Sequence, residues 1–287
     1  DTTVIDLLPS VNLVYSLSDK MKLRAGYSKT VSRPEFRELA PFSFYNFIMD
    51  NIVSGNPELQ RATIDNVDLR WEFFPGSGQV VSVSGFYKNF TNPIETINRT
   101  GTSGAPELYF TNVKSSTNFG SELELRTNLG FLTKSDSSWL NNFSVYSNLS
   151  IIHSEVNLDN FAGAEMSRPL QGQSPYIINC GLFYQNNKKD FGVNLSYNVI
   201  GPRIYIVGNV QEPSVWENGR SVIDLQLAKT FMDNKIEVKL NLKDALAQNL
   251  VYFQDLNSNR KYDIGIDNRW QDVTFGQTVS ISAKYNF

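Results

Sequence analysis

The residues best suited to chemistry in this sequence lie in one polar segment near its C-terminus. Asp255, Asn257 and Asn259 place oxygen-bearing side chains at alternate positions, and Asp263 follows four residues later. Such a pattern opens a calcium loop of the EF-hand type. The glycine and the closing glutamate of a complete loop are missing here. Two interpretations therefore stay open, a calcium site at these four residues and a hydrated, turn-rich loop.

The other titratable and nucleophilic residues form no catalytic pattern. His153 is the only histidine, and we expect it at the start of a solvated loop. Cys180 is the only cysteine, which excludes an internal disulfide and a cysteine-based zinc site. Glu122 and Glu124 alternate on one face of a predicted strand, which favours two water-facing charges over an acid–base pair. The sequence predicts a protein that is not an enzyme and that, calcium aside, has no cofactor.

The bulk composition sets further limits. A formal net charge of -3 without a dominant basic patch gives no reason to expect a nucleic-acid partner. The sequence has no run of ~18 apolar residues, the length that a membrane-spanning helix needs. It begins at Asp1 without a methionine or a signal-peptide pattern, so we expect its start to be a cut in a longer chain.

Alternation of apolar and polar residues dominates the rest of the chain. Val67, Leu69 and Trp71 fall on one face of a strand, and Asp68 and Arg70 fall on the other. Successive charges would be very unfavourable in a packed core, whereas a wide barrel offers them a wet lumen. The same pattern recurs along the chain and predicts an all-β fold of about eleven antiparallel strands. The last of them is expected over residues 273–287.

The predicted connections between these strands alternate strictly between short and long. Short turns are expected near residues 18–20, 75–78, 130–142, 185–190 and 232–235, and long loops near 31–61, 91–115, 153–174, 201–220 and 243–270. Alternation of this kind places every long loop at one end, as in the barrels of bacterial outer membranes. The pattern alone leaves a soluble one-sided sheet as an alternative.

Five segments carry a resemblance to a known family. Residues 27–39 (YSKTVSRPEFREL), 55–59 (GNPEL), 66–72 (NVDLRWE) and 86–89 (FYKN) keep the order and spacing of motifs in TonB-dependent outer-membrane receptors. Residues 168–176 (RPLQGQSPY) resemble the same family more loosely. Several of these features are most similar to receptors of the Bacteroidetes group.

This resemblance implies an architecture and a location. Receptors of the family form a 22-strand transmembrane barrel filled by an N-terminal plug domain. About eleven strands would be the C-terminal half of such a barrel, so residues 1–287 are expected to be one portion of it. The implied location is the outer membrane of a Gram-negative bacterium. Tyr285 and Phe287 would then belong to the terminal signal that the barrel-assembly machinery reads.

The resemblance also implies partners. They are outer-membrane lipid, the N-terminal half of the same receptor, the TonB complex acting through the plug, and a surface lipoprotein. The implied activity is import of a scarce nutrient with energy transmitted by TonB. A passive porin or structural barrel, and a secreted all-β binding protein, are the alternatives.

Aromatic residues in the predicted long loops are candidate contacts for the cargo. They are Phe44, Tyr45, Phe47, Tyr205, Trp216, Tyr252 and Trp270. The alternative is that these rings pack the loops together or lie in the aromatic belt at the membrane surface.

Overall fold

A computed structural model describes residues 4–47, 49–99, 107–133, 138–158, 167–186, 188–209, 211–232 and 235–286. Within these ranges the chain forms nineteen β-strands, one short α-helix and two 3₁₀ helices. None of the helices in the described ranges has the length and apolar character needed to cross a membrane.

The strands are numbered in chain order. They are β1 (Ser10–Ser18), β2 (Met21–Ser32), β3 (Ser43–Asn46), β4 (Asn51–Ser54), β5 (Ala62–Phe73), β6 (Val80–Thr91), β7 (Ile94–Arg99), β8 (Glu107–Asn112), β9 (Ser115–Asn128), β10 (Phe143–Asn157), β11 (Tyr176–Asn186), β12 (Phe191–Ile200), β13 (Arg203–Ile206), β14 (Val215–Glu217), β15 (Arg220–Phe231), β16 (Ile236–Lys243), β17 (Leu250–Gln254), β18 (Asn268–Val273) and β19 (Thr278–Tyr285). Helix α1 is Phe36–Leu39, and the 3₁₀ helices are Leu129–Leu132 and Trp139–Asn142.

Eleven of these strands form one sheet, which we call the wall. Its order is β1-β2-β5-β6-β9-β10-β11-β12-β15-β16-β19, and every neighbouring pair is antiparallel. Among the described residues β1 and β19 do not pair with each other, so the wall is an open sheet. The prediction of an all-β fold with about eleven antiparallel strands is confirmed.

The two faces of the wall differ as the alternation predicts. On β5, Leu69 is 54% exposed and Val67 is also exposed, whereas Asn66 and Glu72 on the opposite face are buried. Apolar side chains thus point outward from the wall, and polar side chains point to its inner side. An exposed apolar face of this extent suits lipid better than water.

Charges on the inner side are paired across strands. Glu72 accepts from Arg24 Nε at 2.7 Å and from Arg70 Nε at 2.9 Å. The same Arg70 reaches Glu124 on β9 with an Nη2–Oε2 distance of 2.5 Å. This network links β2, β5 and β9 without a hydrophobic core between them.

The connections between wall strands alternate in length as predicted, but the long ones are not irregular. Four of them contain the eight strands that lie outside the wall, and the first also contains α1. We therefore correct the prediction that these four stretches are loops only. The short strands in these loops pair with partners far away in the sequence, so they have no local turn and no long alternating run to reveal them.

Two other boundaries are also corrected. The last wall strand is Thr278–Tyr285, because Val273 ends β18 and Gly276 turns the backbone with a φ of +71°. His153 lies inside β10 rather than at the start of a loop. Phe287 of the predicted assembly signal lies outside the described residues, and the role of Tyr285 in that signal stays a prediction.

Candidate binding surface in the long connections

The long connections fold into two small sheets at one end of the wall. Loop sheet 1 has the order β3-β4-β8-β7, and loop sheet 2 has the order β13-β14-β17-β18. Within loop sheet 1, β4 pairs with β8 in parallel, from Ile52 opposite Glu107 to Ser54 opposite Tyr109. Four separate connections therefore contribute strands to the two sheets.

A buried apolar cluster joins loop sheet 1 to loop sheet 2. Val53 and Leu108 come from the first sheet, and Ile206, Val215 and Tyr252 come from the second. A parallel bridge between Ile97 and Val207 adds a backbone link. We call the five buried side chains the junction cluster; they are Val53, Leu108, Ile206, Val215 and Tyr252. We call the two sheets together the head. The head has a hydrophobic core of its own.

A buried ion pair fastens the head to the wall. Arg168, in the connection between β10 and β11, donates through Nη1 and Nη2 to Glu95 Oε1 and Oε2 on β7, at 2.9 and 2.6 Å. The Glu95 residue is 1% exposed and Arg168 is 4% exposed. Two parallel bonds of this kind fix the relative orientation of both partners. Among the ion pairs in the described part of the chain, this one has the least exposed side chains.

The residues that follow Arg168 extend this attachment, and we call 168–175 the anchor segment. Gln171 N donates to Glu95 Oε1 at 2.9 Å, and its Nε2 donates to the Tyr205 carbonyl at 2.5 Å. Gly172 N donates to the Ile204 carbonyl at 2.9 Å. The anchor segment therefore holds both loop sheets. Its motif is visible in the sequence, but the sequence does not reveal its partner Glu95.

Three of the predicted contact residues lie together on one face of loop sheet 2. The ring centroids of Tyr205 and Tyr252 are 4.4 Å apart, and Trp270 lies 6.2 and 6.3 Å from them. Burial, followed by the nearby negative charge of Glu217, raises the pKa of Tyr252 to about 12. Both phenols stay neutral at physiological pH, and Tyr252 packs in the junction cluster.

Trp216 is separated from that group. It is buried on the opposite face of loop sheet 2, where it packs with Ile204 and Phe253. The Arg260 guanidinium lies 5.8 Å from its ring centroid. The structure thus divides the four predicted aromatics of this sheet between its two faces. Their role as cargo contacts stays a prediction.

The aromatics of the first long connection are the most accessible ones in the head. Phe47 is 86% exposed, and its ring meets that of Tyr45 edge-on, with centroids 5.0 Å apart. The hydroxyl of Tyr45 donates to Asp50, and this hydrogen bond raises the pKa of the phenol. Phe44 on the same strand turns inward and packs against the junction cluster.

Two further rings belong to this exposed surface, although they were not among the predicted contacts. Phe36 is 95% exposed and Phe42 is 62% exposed. Helix α1 supports Phe36 through a capping box between Glu35 and Glu38. We name Phe36, Phe42, Tyr45 and Phe47 the aromatic face. Gly55 packs directly against the backbone of Arg37 and Ala40 beneath this surface, where a side chain would collide.

The segment predicted as a calcium loop is closed by its own hydrogen bonds. Asp263 Oδ2 accepts from the side-chain amides of Asn257 and Asn259 at 2.8 and 2.6 Å, which lowers the pKa of its carboxyl. Asp255 accepts from the backbone of Asn259 and Arg260. No cluster of three acidic, histidine or cysteine side chains suited to a metal occurs in the described ranges. Hydrogen bonds within the turn therefore occupy polar atoms of all four side chains, and calcium binding stays a prediction.

An open antiparallel wall that is apolar outside and polar inside, with its long connections gathered at one end, defines the class of outer-membrane β-barrels. The chain belongs to the family described as TonB dependent receptor-like, beta-barrel, whose family model matches residues 3–250. Barrels of this family lie in the outer membrane of Gram-negative bacteria. The relation to the Bacteroidetes group stays a prediction.

Known proteins similar to this chain include receptors for iron compounds. An iron-regulated outer membrane virulence protein of Vibrio cholerae is 24% identical over 270 residues, which are 90% of this chain and 39% of the relative. The ferric enterobactin receptor of Pseudomonas aeruginosa has 18% identity and a TM-score of 0.61, covering 98% of this chain and 40% of the receptor. A siderophore receptor of Acinetobacter baumannii has 16% identity and a TM-score of 0.63, covering 98% and 41%.

These structural similarities establish the fold alone, because the identities are low. The chain spans about two fifths of the length of the proteins it matches.

Proposed function

We propose that this chain is the C-terminal part of the barrel of a TonB-dependent receptor that imports a scarce nutrient. The head is the observation that carries the proposal. A passive pore needs only short or mobile loops at its mouth, whereas here four connections form a packed body that carries an exposed aromatic face. This arrangement suits capture of a solute before transport.

The transport step requires no bond chemistry from these residues. The wall would enclose the plug, and the charged network of Arg24, Arg70, Glu72 and Glu124 would face that wet interior. Energy would come from the TonB complex acting on the plug. Family membership favours this function over the secreted binding protein and over the passive porin.

We propose a ferric chelate with aromatic groups as the cargo. The relatives named for iron regulation and for ferric enterobactin support this choice. The aromatic face fits it chemically, since stacked or edge-on ring pairs contribute about 0.5–1.5 kcal/mol beyond the burial of area. Phe36, Phe42 and Phe47 present uncharged rings to the solvent, and Tyr45 adds a hydroxyl.

Uptake by the full-length receptor tests the proposal. Cells that depend on this receptor would be given a radiolabelled ferric catecholate, and initial uptake would be measured with and without an active TonB complex. We expect uptake to require TonB and to fall by roughly tenfold in a Tyr45→Ala, Phe47→Ala double variant, which loses two ring contacts. Phe231→Ala is the matched control, because Phe231 is also exposed but ends a wall strand beside a short turn.

Two results would contradict the proposal. Uptake that is independent of TonB would indicate a passive barrel. Equal losses in the double variant and in Phe231→Ala would remove the aromatic face as the capture surface.

A further inference from the structure

A groove of about 530 Å³ crosses the outward face of the wall. Its floor consists of Gly85 on β6 and Ser121 on β9, which lie directly opposite each other in the register. Leu69 pairs with Gly85 on one side, and Ile151 pairs with Ser121 on the other. Tyr87 and Phe119 form the next outward-facing row toward the head, and His153 continues that row beside Phe119.

Small side chains create this depression. Every neighbouring row on this face carries a larger residue, so the absence of a side chain at Gly85 leaves an open volume. A Cβ added at Gly85 would meet nothing closer than the Gly120 carbonyl oxygen, at 3.8 Å. Close packing therefore does not require a glycine at position 85, and a larger side chain there would extend into the groove without a collision.

The surroundings of the groove determine what can fill it. Leu69, Ile151 and Phe119 are exposed on the face of the barrel that meets the membrane. Water is excluded from such an apolar volume, and unfilled space forfeits dispersion contacts. A flexible hydrocarbon chain from the surrounding bilayer satisfies both conditions.

The end of the groove nearest the head carries an imidazole beside the aromatic rings of Tyr87 and Phe119. His153 lines it there, with its ring centroid 5.0 Å from that of Phe119. His153 also lines a second cavity of about 190 Å³, together with Trp216 and Arg260. Glu155 is the acidic side chain in this second cavity, and its Oε1 accepts from the Ser167 hydroxyl at 3.2 Å.

The two cavities share His153 as a lining residue, and we call the groove and the second cavity together the path. Arg260 supplies a guanidinium, and His153 supplies an imidazole that can donate a hydrogen bond. Guanidinium groups favour phosphate oxygens. Long loops of outer-membrane barrels lie outside the cell, so the polar end faces the headgroups of the outer leaflet.

We propose that this path is a binding site for one phosphate-bearing lipid of the outer leaflet. One acyl chain occupies the groove over Gly85 and Ser121, and the phosphate lies against His153 and Arg260. The site is separate from the aromatic face and from transport, so it holds whether or not the cargo is a ferric chelate.

Lipid retention by the full-length receptor tests the acyl part of the site. The receptor would be extracted from outer membranes with mild detergent, and the lipids that stay bound would be identified and counted by mass spectrometry. Gly85→Leu should lower the retained phosphate-bearing lipid severalfold, because the new side chain fills the groove. Val83→Leu is the control, since Val83 lies on the same face one row away. Equal retention in Gly85→Leu and in the unaltered receptor would overturn the proposal.

A second pair of variants tests the headgroup. Arg260→Gln and His153→Gln should each reduce retention of phosphate-bearing lipid while migration of the folded barrel on unheated gels stays unchanged. Unchanged retention in both variants would overturn the phosphate contact. A photo-reactive residue at Ser121 provides an independent readout: crosslinking to lipid supports the proposal, and crosslinking to a protein contradicts it.

Discussion

The wall and the head are built from the same chain by two different physical solutions. The wall is one layer thick, and its apolar side chains point away from the protein. The head buries its apolar side chains in two clusters, the junction cluster between the two loop sheets and the cluster around Trp216 on the opposite face of loop sheet 2. Every buried hydrophobic side chain of the described residues lies in a long connection or at the end of a wall strand that meets one.

This difference shows that each region depends on a different partner for its stability. The wall needs lipid on one face and paired charges on the other, because it has no core. The head needs only its own segments, and it depends on the anchor segment for its position. Substitutions should therefore affect one region and spare the other, and four experiments test this separation.

The largest effect is expected at the ion pair between the two regions. Glu95→Ala leaves the Arg168 guanidinium buried without a partner, which should destabilise the head by about 3–5 kcal/mol. Amide hydrogen exchange of the full-length receptor should show loss of protection in β7 and β13 but not in β15. Asp272→Ala is the control, because Asp272 pairs with Arg269 at the exposed surface. Equal loss of protection in β15 would show that the head and the wall unfold as one unit.

A charge on the outward face of the wall should have the next largest effect. Leu195→Arg places a cation in the hydrocarbon region of the membrane. Such a change destabilises a barrel by about 2–4 kcal/mol near the bilayer midplane. Heat-dependent gel migration should show a lower unfolding temperature of the barrel. Ser196→Arg is the matched control, because the adjacent side chain points to the wet inner side. A larger loss for Ser196→Arg than for Leu195→Arg would reverse our assignment of the two faces.

A smaller effect is expected from a single methyl group in the head. Ile204 is fully buried beside Trp216 and Phe253. Ile204→Val should destabilise the head by about 0.5–1.5 kcal/mol, through lost burial and a small cavity. Tryptophan fluorescence during denaturation of the head would measure it. The same substitution at exposed Ile281 on the wall should have no measurable effect on the head.

The smallest effect is expected from alkaline titration of the head. The pKa of Tyr252 is raised from 10.0 to about 12, so the folded head favours the neutral phenol. The stability that this burial provides is fully present below pH 10 and is lost as the pH rises toward 12. Tyr252→Phe should remove this part of the pH dependence, as seen in the fluorescence of Trp270. A variant with the same alkaline transition would exclude Tyr252 as its source.

The same difference explains how much of the molecule the sequence could predict. Val67 and Leu69 alternate with polar and charged residues over a full strand. The local sequence therefore predicts which face of the strand they occupy and that this face is apolar. Ile52 offers no such signal, because its partner Glu107 is 55 positions away and runs parallel to it. The sequence therefore predicts the wall closely, whereas it predicts only long loops where the head lies.

The candidate site shows the same limit. The chemical type of Tyr205, Tyr252 and Trp270 suggested a surface, but only long-range pairing brings them together and sends Trp216 to the opposite face. The anchor segment was noticed as a motif, yet Arg168 and Glu95 are separated by 73 positions. Phe36 and Phe42 are exposed because of where α1 lies. A helix of four residues is too short to give a periodic pattern in the sequence, so its position could not be predicted.

Long-range pairing in the head also fixes an order of events during assembly. Loop sheet 1 uses strands that end at Asn112, whereas loop sheet 2 is complete only with β18, which ends at Val273. Closing such distant contacts is slow, because the entropy of a long intervening chain must be lost first. Until loop sheet 2 forms, Val53 and Leu108 lack the apolar cover of Ile206, Val215 and Tyr252. Formation of loop sheet 2 is therefore the step that protects these apolar side chains of loop sheet 1 from proteolysis.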